Sequence, residues 1–420
     1  MSLQGPIVVV AEQPATGLIE ALSAAGAFPI VEAKWTDAPT AFVSVKPAAV
    51  VIAEPGQPVS ESSARMLCLQ LATTAGPIVP AIACIDDEQE AAIPVALPAD
   101  ASLPVERLIA RLASALRVRA LHQTVLRRIE TFACQGGKLP LLPVNDALED
   151  ATVLIAGRGP LYPALSVAIG ERVNMVGALS VENAAKHLNS RDIDGIVVGD
   201  GFSPRMVEAF LTVLAQEPRF RDIPVAVIGG APDDFAEAMP NIDYVDGDPA
   251  RLVTRMIPLV RMHAFETRLK RMLKSLEADG IFDPETGLLT REAFWRELNK
   301  ALQEAADRSQ ALSLARFSFD GAIEPRLGRD GARLLTRLIR EIDFGMREDD
   351  GSILVAFSQT DLRSAHVVAR RIAGALKSIM VAALPHEKIA ANVTLATLKA
   401  GDTLDALMLR VMGSRVVAAE

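Results

Sequence analysis

From Pro6 onward, short apolar runs alternate with longer amphipathic stretches, and that alternation predicts βα units around a parallel sheet. Strands of a first domain are expected at Ile7–Val10, Ala48–Ile52, Ile78–Ala83 and Ile93–Leu97. From Leu103 to Ala133 apolar residues recur at helical spacing among many arginines, so one long helix should leave this domain, and the stretch from Gln135 to Pro143, with Gly136, Gly137, Pro140 and Pro143, breaks it. The plan restarts at Ala151, with strands expected at Val153–Ala156, Ile193–Val198, Pro224–Ile228 and Ile242–Val245, which reads as one fold used twice. Arg251 to Asp279 has helical spacing and mixed charge and stops at Gly280, ahead of Asp283-Pro284. It is expected to connect to a third domain.

Length agrees with that count, since 420 residues make about three domains of ordinary size. Half of the residues are apolar and 23% are charged, enough for each domain to bury a core. A formal charge of -9 disfavours a general nucleic-acid or anionic-membrane binder, so an anionic ligand would need a local cluster of arginines. Cys68, Cys84 and Cys134 have no paired spacing and the five histidines are scattered, which fits a reducing cytosol and points to no metal site. The N-terminus lacks a basic region followed by an apolar run, and the most hydrophobic stretch, Gly76–Ile85, is short and carries two prolines; neither export nor membrane insertion is expected.

The repeated βα pattern through about residue 265 resembles response-regulator receiver domains, which implies flavodoxin-like sheets with the site at the strand C-terminal ends. The resemblance also implies an acidic pair, an acceptor Asp, a Ser or Thr and a Lys-Pro at set strand ends. In the first domain these places are expected at Ala11-Glu12, Ala53 beside Glu54, Ile82 or Ala83, and Leu97-Pro98. In the second they are expected at Gly157-Arg158, Gly199 beside Asp200, Ile228 or Gly229, and Asp248-Pro249. Neither domain is expected to take a phosphoryl group, and Asp200 reads as an exposed loop acid rather than a displaced acceptor. Gly157-Arg158-Gly159 reads as a plain turn, because Pro160 and Pro163 stand where a dinucleotide-binding helix would begin.

The segment Asp283-Pro-Glu-Thr-Gly-Leu-Leu-Thr-Arg-Glu-Ala-Phe294 resembles the opening of GGDEF domains, the family that condenses two GTP into cyclic di-GMP. Leu312–Phe319 stands at the first metal-bearing strand, and Arg347-Glu-Asp-Asp-Gly-Ser-Ile-Leu-Val-Ala-Phe357 at the signature and its following strand. Phosphoryl transfer needs metal-binding carboxylates and backbone that can approach phosphate. Here Asp349 and Asp350 replace the signature glycines, and Gly351 and Ser352 replace its carboxylates ahead of Ile353. Ser318 stands for the first metal Asp, leaving Asp320, and Ala332 stands for the guanine-reading Asp. The final helix shrinks to Leu404–Met412 and Gly-Ser-Arg415, with no lysine after Lys399. No cyclase activity and no metal or cofactor are expected.

Arg340-Glu-Ile-Asp343 stands where the family carries its R-x-x-D inhibitory site, which implies Arg340 donating to guanine O6 and N7, or to phosphate, and Asp343 accepting from guanine N–H groups. The two residues, i and i+3, are expected at one helix end. Arg308 is a candidate second arginine. The competing reading of Arg340 and Asp343 is an ordinary surface ion pair worth about 0.3–0.5 kcal/mol. The expected organisation is α/β, with two flavodoxin-like receiver domains and an α+β GGDEF domain: residues 1–134 a degenerate receiver-like domain with its exit helix, 135–150 a linker, 151–265 a second such domain, 266–282 a connecting helix, and 283–420 a degenerate GGDEF domain. The resemblance implies a cytoplasmic, dimeric cyclic di-GMP receptor that recruits protein partners, in some relatives at the cell pole, and that could dock its GGDEF domain on a receiver domain when ligand binds. Two other classes stay open at this point: a ligand-independent scaffold, and an enzyme, for which the sequence offers no nucleophile–base pair.

Overall fold

The computed structural model describes residues 3–53, 61–85, 95–100, 104–136, 146–229, 235, 238–277, 280–319, 325–383 and 391–412. They fall into two compact units, Met1–His122 with Leu141–Lys270, and Gln123–Pro140 with Arg271–Glu420.

The first unit holds two five-stranded parallel sheets. One is built from β1 (Gln4–Val10), α1 (Thr16–Ala24), β2 (Phe28–Ala33), α2 (Ala38–Val45), β3 (Ala49–Ile52), α3 (Glu61–Thr73), β4 (Ala81–Ile85), β5 (Leu97–Asp100) and the start of α4 (Val105–Cys134). The other uses β6 (Thr152–Ala156), α5 (Tyr162–Gly170), β7 (Asn174–Ala178), α6 (Val181–Ser190), β8 (Gly195–Val198), α7 (Pro204–Gln216), β9 (Val225–Ile228), β10 (Ile242–Val245) and the start of α8 (Pro249–Glu277). Strand orders β2-β1-β3-β4-β5 and β7-β6-β8-β9-β10 are the same order, that of flavodoxin-like sheets. The inner strands read as unbroken apolar runs because helices cover both faces: Ile7 and Val9 face one core and Val8 and Val10 the other. Leu259 and Met262 of α8 pack into the core of the first sheet. Arg111 of α4 meets Asp243 of β10 at 2.8 Å, with both side chains nearly sealed from solvent.

Four expectations are corrected here. Each sheet has a second strand that the sequence reading lacks, β2 and β7, both edge strands interrupted by Pro29 and Glu32 or by Asn174 and Gly177. The fourth strand begins after Pro80 and ends at Ile85, and the fifth spans Leu97–Asp100; residues 93 and 94 of the expected fifth strand lie outside the described residues. The receiver positions expected at Ile82 and Ala83 therefore lie inside β4, and Leu97-Pro98 opens β5, rather than standing at strand C-terminal ends. Asp200 is not an exposed loop acid: its carboxylate lies so close to Gly159 that a Cβ there would fall 2.1 Å from Oδ2, while the Leu161 N–H donates to that oxygen at 3.3 Å. Glu54 lies outside the described residues. The connecting helix expected at 266–282 is the later part of α8, which starts at Pro249 and runs through Pro258.

The second unit has a four-stranded antiparallel sheet, order β12-β13-β11-β14, from β11 (Leu312–Phe319), β12 (Phe344–Arg347), β13 (Ile353–Ser358) and β14 (Ala391–Thr397). Helices α9 (Arg291–Asp307), α10 (Pro325–Leu338), α11 (Leu362–Ala383) and α12 (Leu404–Met412) surround it. Phe317, Val355 and Phe357 pack with Leu335 of α10 and Ile372 and Leu376 of α11 on one face. On the other, Phe294 of α9 meets Phe344 edge-on at 5.6 Å. The last turns of α4 belong to this unit: Arg128 pairs with the fully buried Glu297 of α9 at 2.5 Å, Arg127 reaches Glu304 at 3.1 Å, and their guanidinium groups lie over Phe282 and Phe344. Buried charges persist only when so matched.

Candidate nucleotide site

The opening motif Asp283-Pro-Glu-Thr-Gly287 is a turn. Asp283 accepts from the Glu285 N–H at 3.0 Å and from the Thr286 hydroxyl at 2.6 Å, and Thr336 of α10 donates to the Thr286 carbonyl at 3.2 Å. The turn therefore holds the end of α10 beside the Phe282–Leu289 bridge.

Arg340 and Asp343 follow α10, which stops at Leu338. They sit in the turn leading to β12 rather than on the helix end expected for them. Arg340 Nε donates to Asp343 Oδ2 and its Nη2 to Oδ1, both at 3.1 Å, and Nη2 also donates to Thr360 Oγ1 at 2.6 Å and to the Ser358 carbonyl at 3.0 Å. Asp343 accepts two further bonds, from the Arg340 N–H at 3.2 Å and the Ser358 N–H at 3.1 Å. Its side chain is 1% exposed and that of Arg340 38%. Burial pushes the Asp343 carboxyl up, against the pull of Arg340 and of the backbone N–H groups of Arg340 and Ser358. The pair is thus half buried and braced by β13, more than the surface ion pair of the competing reading. Both Asp343 oxygens thus accept two hydrogen bonds each within the protein.

Beside the pair lies a pocket of about 150 Å³ whose polar wall is Arg128, Thr336, Arg340, Glu341 and Asp343 and whose apolar wall includes Phe282, Ile339 and Phe344. The candidate second arginine, Arg308, caps α9 and does not line this pocket; its Nη1 is buried without a hydrogen-bond partner. Arg128 and Glu341 do line it, and the sequence reading named neither. The arginine-rich character of α4 was the available signal for Arg128, but nothing local to residue 128 says that it faces residue 340.

The altered signature forms the turn between β12 and β13. Asp350 accepts from the Ser352 N–H at 2.9 Å and hydroxyl at 2.6 Å and pairs with Arg316 of β11, while Asp349 pairs with Arg291 at 2.7 Å and Glu348 with the same arginine at 3.3 Å. Gly351 takes φ +82° and Ile353 opens β13. For Asp350, partial burial works against ionisation, but Ser352 and Arg316 outweigh it and hold the carboxyl below its usual range. Ser318 lies in β11 opposite Asn392, and Ala332 is buried in the core on α10. Asp320 and Arg415 lie outside the described residues.

Fold and site together define a mixed α/β chain with two parallel sheets of flavodoxin-like order and a third domain built on a four-stranded antiparallel sheet. That domain is similar to the coiled coil and GGDEF domain of DgcB from Caulobacter crescentus, solved with cyclic di-GMP: 19% identity, TM-score 0.29, covering 35% of this chain and 84% of that one. It is similar also to the FimX GGDEF domain from Pseudomonas aeruginosa (19% identity, TM-score 0.27, 31% and 89% covered) and to a sensory box/GGDEF family protein from Caulobacter crescentus (22%, 0.25, 31% and 93%). No protein-family model matches the chain, and no curated protein matches it.

Proposed function

We propose that this protein is a catalytically inactive GGDEF-type receptor that binds cyclic di-GMP beside Arg340 and passes the signal to protein partners. The observation that carries the reading is Arg340 itself, fixed by Asp343, Ser358 and Thr360 on the wall of a pocket it shares with a second arginine, Arg128. A guanidinium held rigidly loses little freedom when it donates to guanine or phosphate. Inactivity is supported by the signature turn, where Asp349 and Asp350 put negative charge in the place of phosphate-approaching glycines and are engaged by Arg291 and Arg316. The domain order resembles PopA-type receptors, and by that resemblance the protein would act as a cytoplasmic homodimer that recruits partners through its receiver-like domains, at the cell pole in the PopA case.

Isothermal titration of cyclic di-GMP into the full chain tests this. The expected affinity is micromolar or tighter, about -8 kcal/mol or better. Arg340→Ala is expected to weaken it about ten- to a hundredfold, the loss of hydrogen bonds to a charged donor. GTP with Mg²⁺ is expected to yield no cyclic di-GMP. The saturation of Asp343 favours a second reading, a scaffold in which the pair only braces the β12–β13 edge; absence of heat and of a thermal shift at excess ligand would establish it over the receptor.

A further inference from the structure

The pocket beside Arg340 has a vacant acceptor, and it is not the aspartate of the R-x-x-D pattern. Asp343 is closed off, both oxygens being taken by Arg340, by its backbone N–H and by the Ser358 N–H. Glu341, next to Arg340 on the turn, is exposed, lines the same pocket, and makes no hydrogen bond or ion pair among the described residues. Arg340 for its part commits Nε and Nη2 and keeps Nη1 outside those bonds. Arg340, with Nη1 outside those bonds, and Glu341 thus both line one pocket.

That pairing matches one base edge. Guanine presents the O6 and N7 acceptors and, beside them, the N1–H and N2–H donors; a carboxylate accepts two parallel N–H bonds while a guanidinium donates to the acceptors. Adenine offers one donor group there, and hypoxanthine lacks the N2 amine. The pocket, about 150 Å³ or room for roughly five waters, suits a single ring system and leaves the rest of a dinucleotide outside. Phe282, with Arg128 held over its ring, supplies an apolar and cationic wall for the base.

We propose that Glu341, and not Asp343, reads the guanine edge in this pocket, with Asp343 a positioning residue that holds Arg340. The inference rests on the cyclic di-GMP reading above and specifies its selectivity. An analogue lacking the N2 amine forgoes one hydrogen bond to a charged acceptor, which weakens its binding relative to guanine.

Cyclic di-GMP, cyclic di-IMP and cyclic di-AMP are titrated separately into the full chain and into Glu341→Gln and Asp343→Asn, with melting temperatures recorded for each. The expected result is a wild-type preference for cyclic di-GMP over cyclic di-IMP of at least tenfold. Glu341→Gln is expected to melt with the wild type, to bind cyclic di-GMP at least tenfold more weakly, and to treat the two ligands alike. Asp343→Asn is expected to melt lower and to bind more weakly through the loosened Arg340, yet to keep the preference. Full affinity and preference in Glu341→Gln would overturn the assignment while leaving the receptor intact. The same holds if the preference disappears in Asp343→Asn instead. A wild-type chain that binds none of the three would remove the receptor reading, and the assignment with it.

Discussion

His122, on α4, accepts a hydrogen bond from the Ile78 N–H at Nδ1 (3.1 Å) and lies edge-on to Phe265. An acceptor nitrogen must be unprotonated, and burial, with nearby Arg119, pushes the imidazole down to about 4. Its folded pKa lies below the unfolded value near 6.5, so the unfolded chain binds the proton first, and stability is lost as pH falls from about 6.5 towards 4. The loss is on the order of 2 kcal/mol after discounting for partial exposure, and His122→Phe is expected to flatten the slope of urea-unfolding stability against pH across that window. Legibility at this scale follows distance along the chain. Arg340 and Asp343 could be named because three residues and a turn join them. Arg128 could not, since only the folded α4 brings it to the pocket.

The β12–β13 turn shows what one element asks of its sequence. Gly351 sits at φ +82° while its N–H donates to the Glu348 carbonyl at 3.0 Å. Any side chain there pays the left-handed penalty, so Gly351→Ala is expected to destabilise the second unit by about 1–2 kcal/mol, read from denaturant midpoints at unchanged slope. Inner strands such as β1, β3, β6 and β8 were readable because helices on both faces demand continuous apolar residues. Strands β2 and β7 were not, since Pro29 and Glu32 in the one and Asn174 and Gly177 in the other interrupt the run. The shift at β4 has a backbone cause: Pro80 has no N–H to give to the ladder, so the apolar run at Ile78 starts before the strand does.

Across the molecule, charge is buried in matched sets. Arg111 donates to both oxygens of Asp243 (2.8 and 3.3 Å) and to the Ile242 carbonyl (3.3 Å), fastening the first helix-exit segment to the second sheet within the first unit. Arg111→Ala strands a buried carboxylate and is expected to cost about 3–5 kcal/mol, measured as lost hydrogen-exchange protection in β10, whereas Arg111→Met with Asp243→Leu is expected to restore most of it. The Arg127, Arg128 and Glu297 set does the same work inside the second unit. That set also has a consequence in time. Each unit is assembled from two separate stretches of chain, so no single cut parts the two with both intact. On the ribosome, Arg127 and Arg128 emerge well before Glu297, a gap on the order of ten to thirty seconds at ordinary elongation rates. Through that interval the end of α4 must wait in water for its partner on α9.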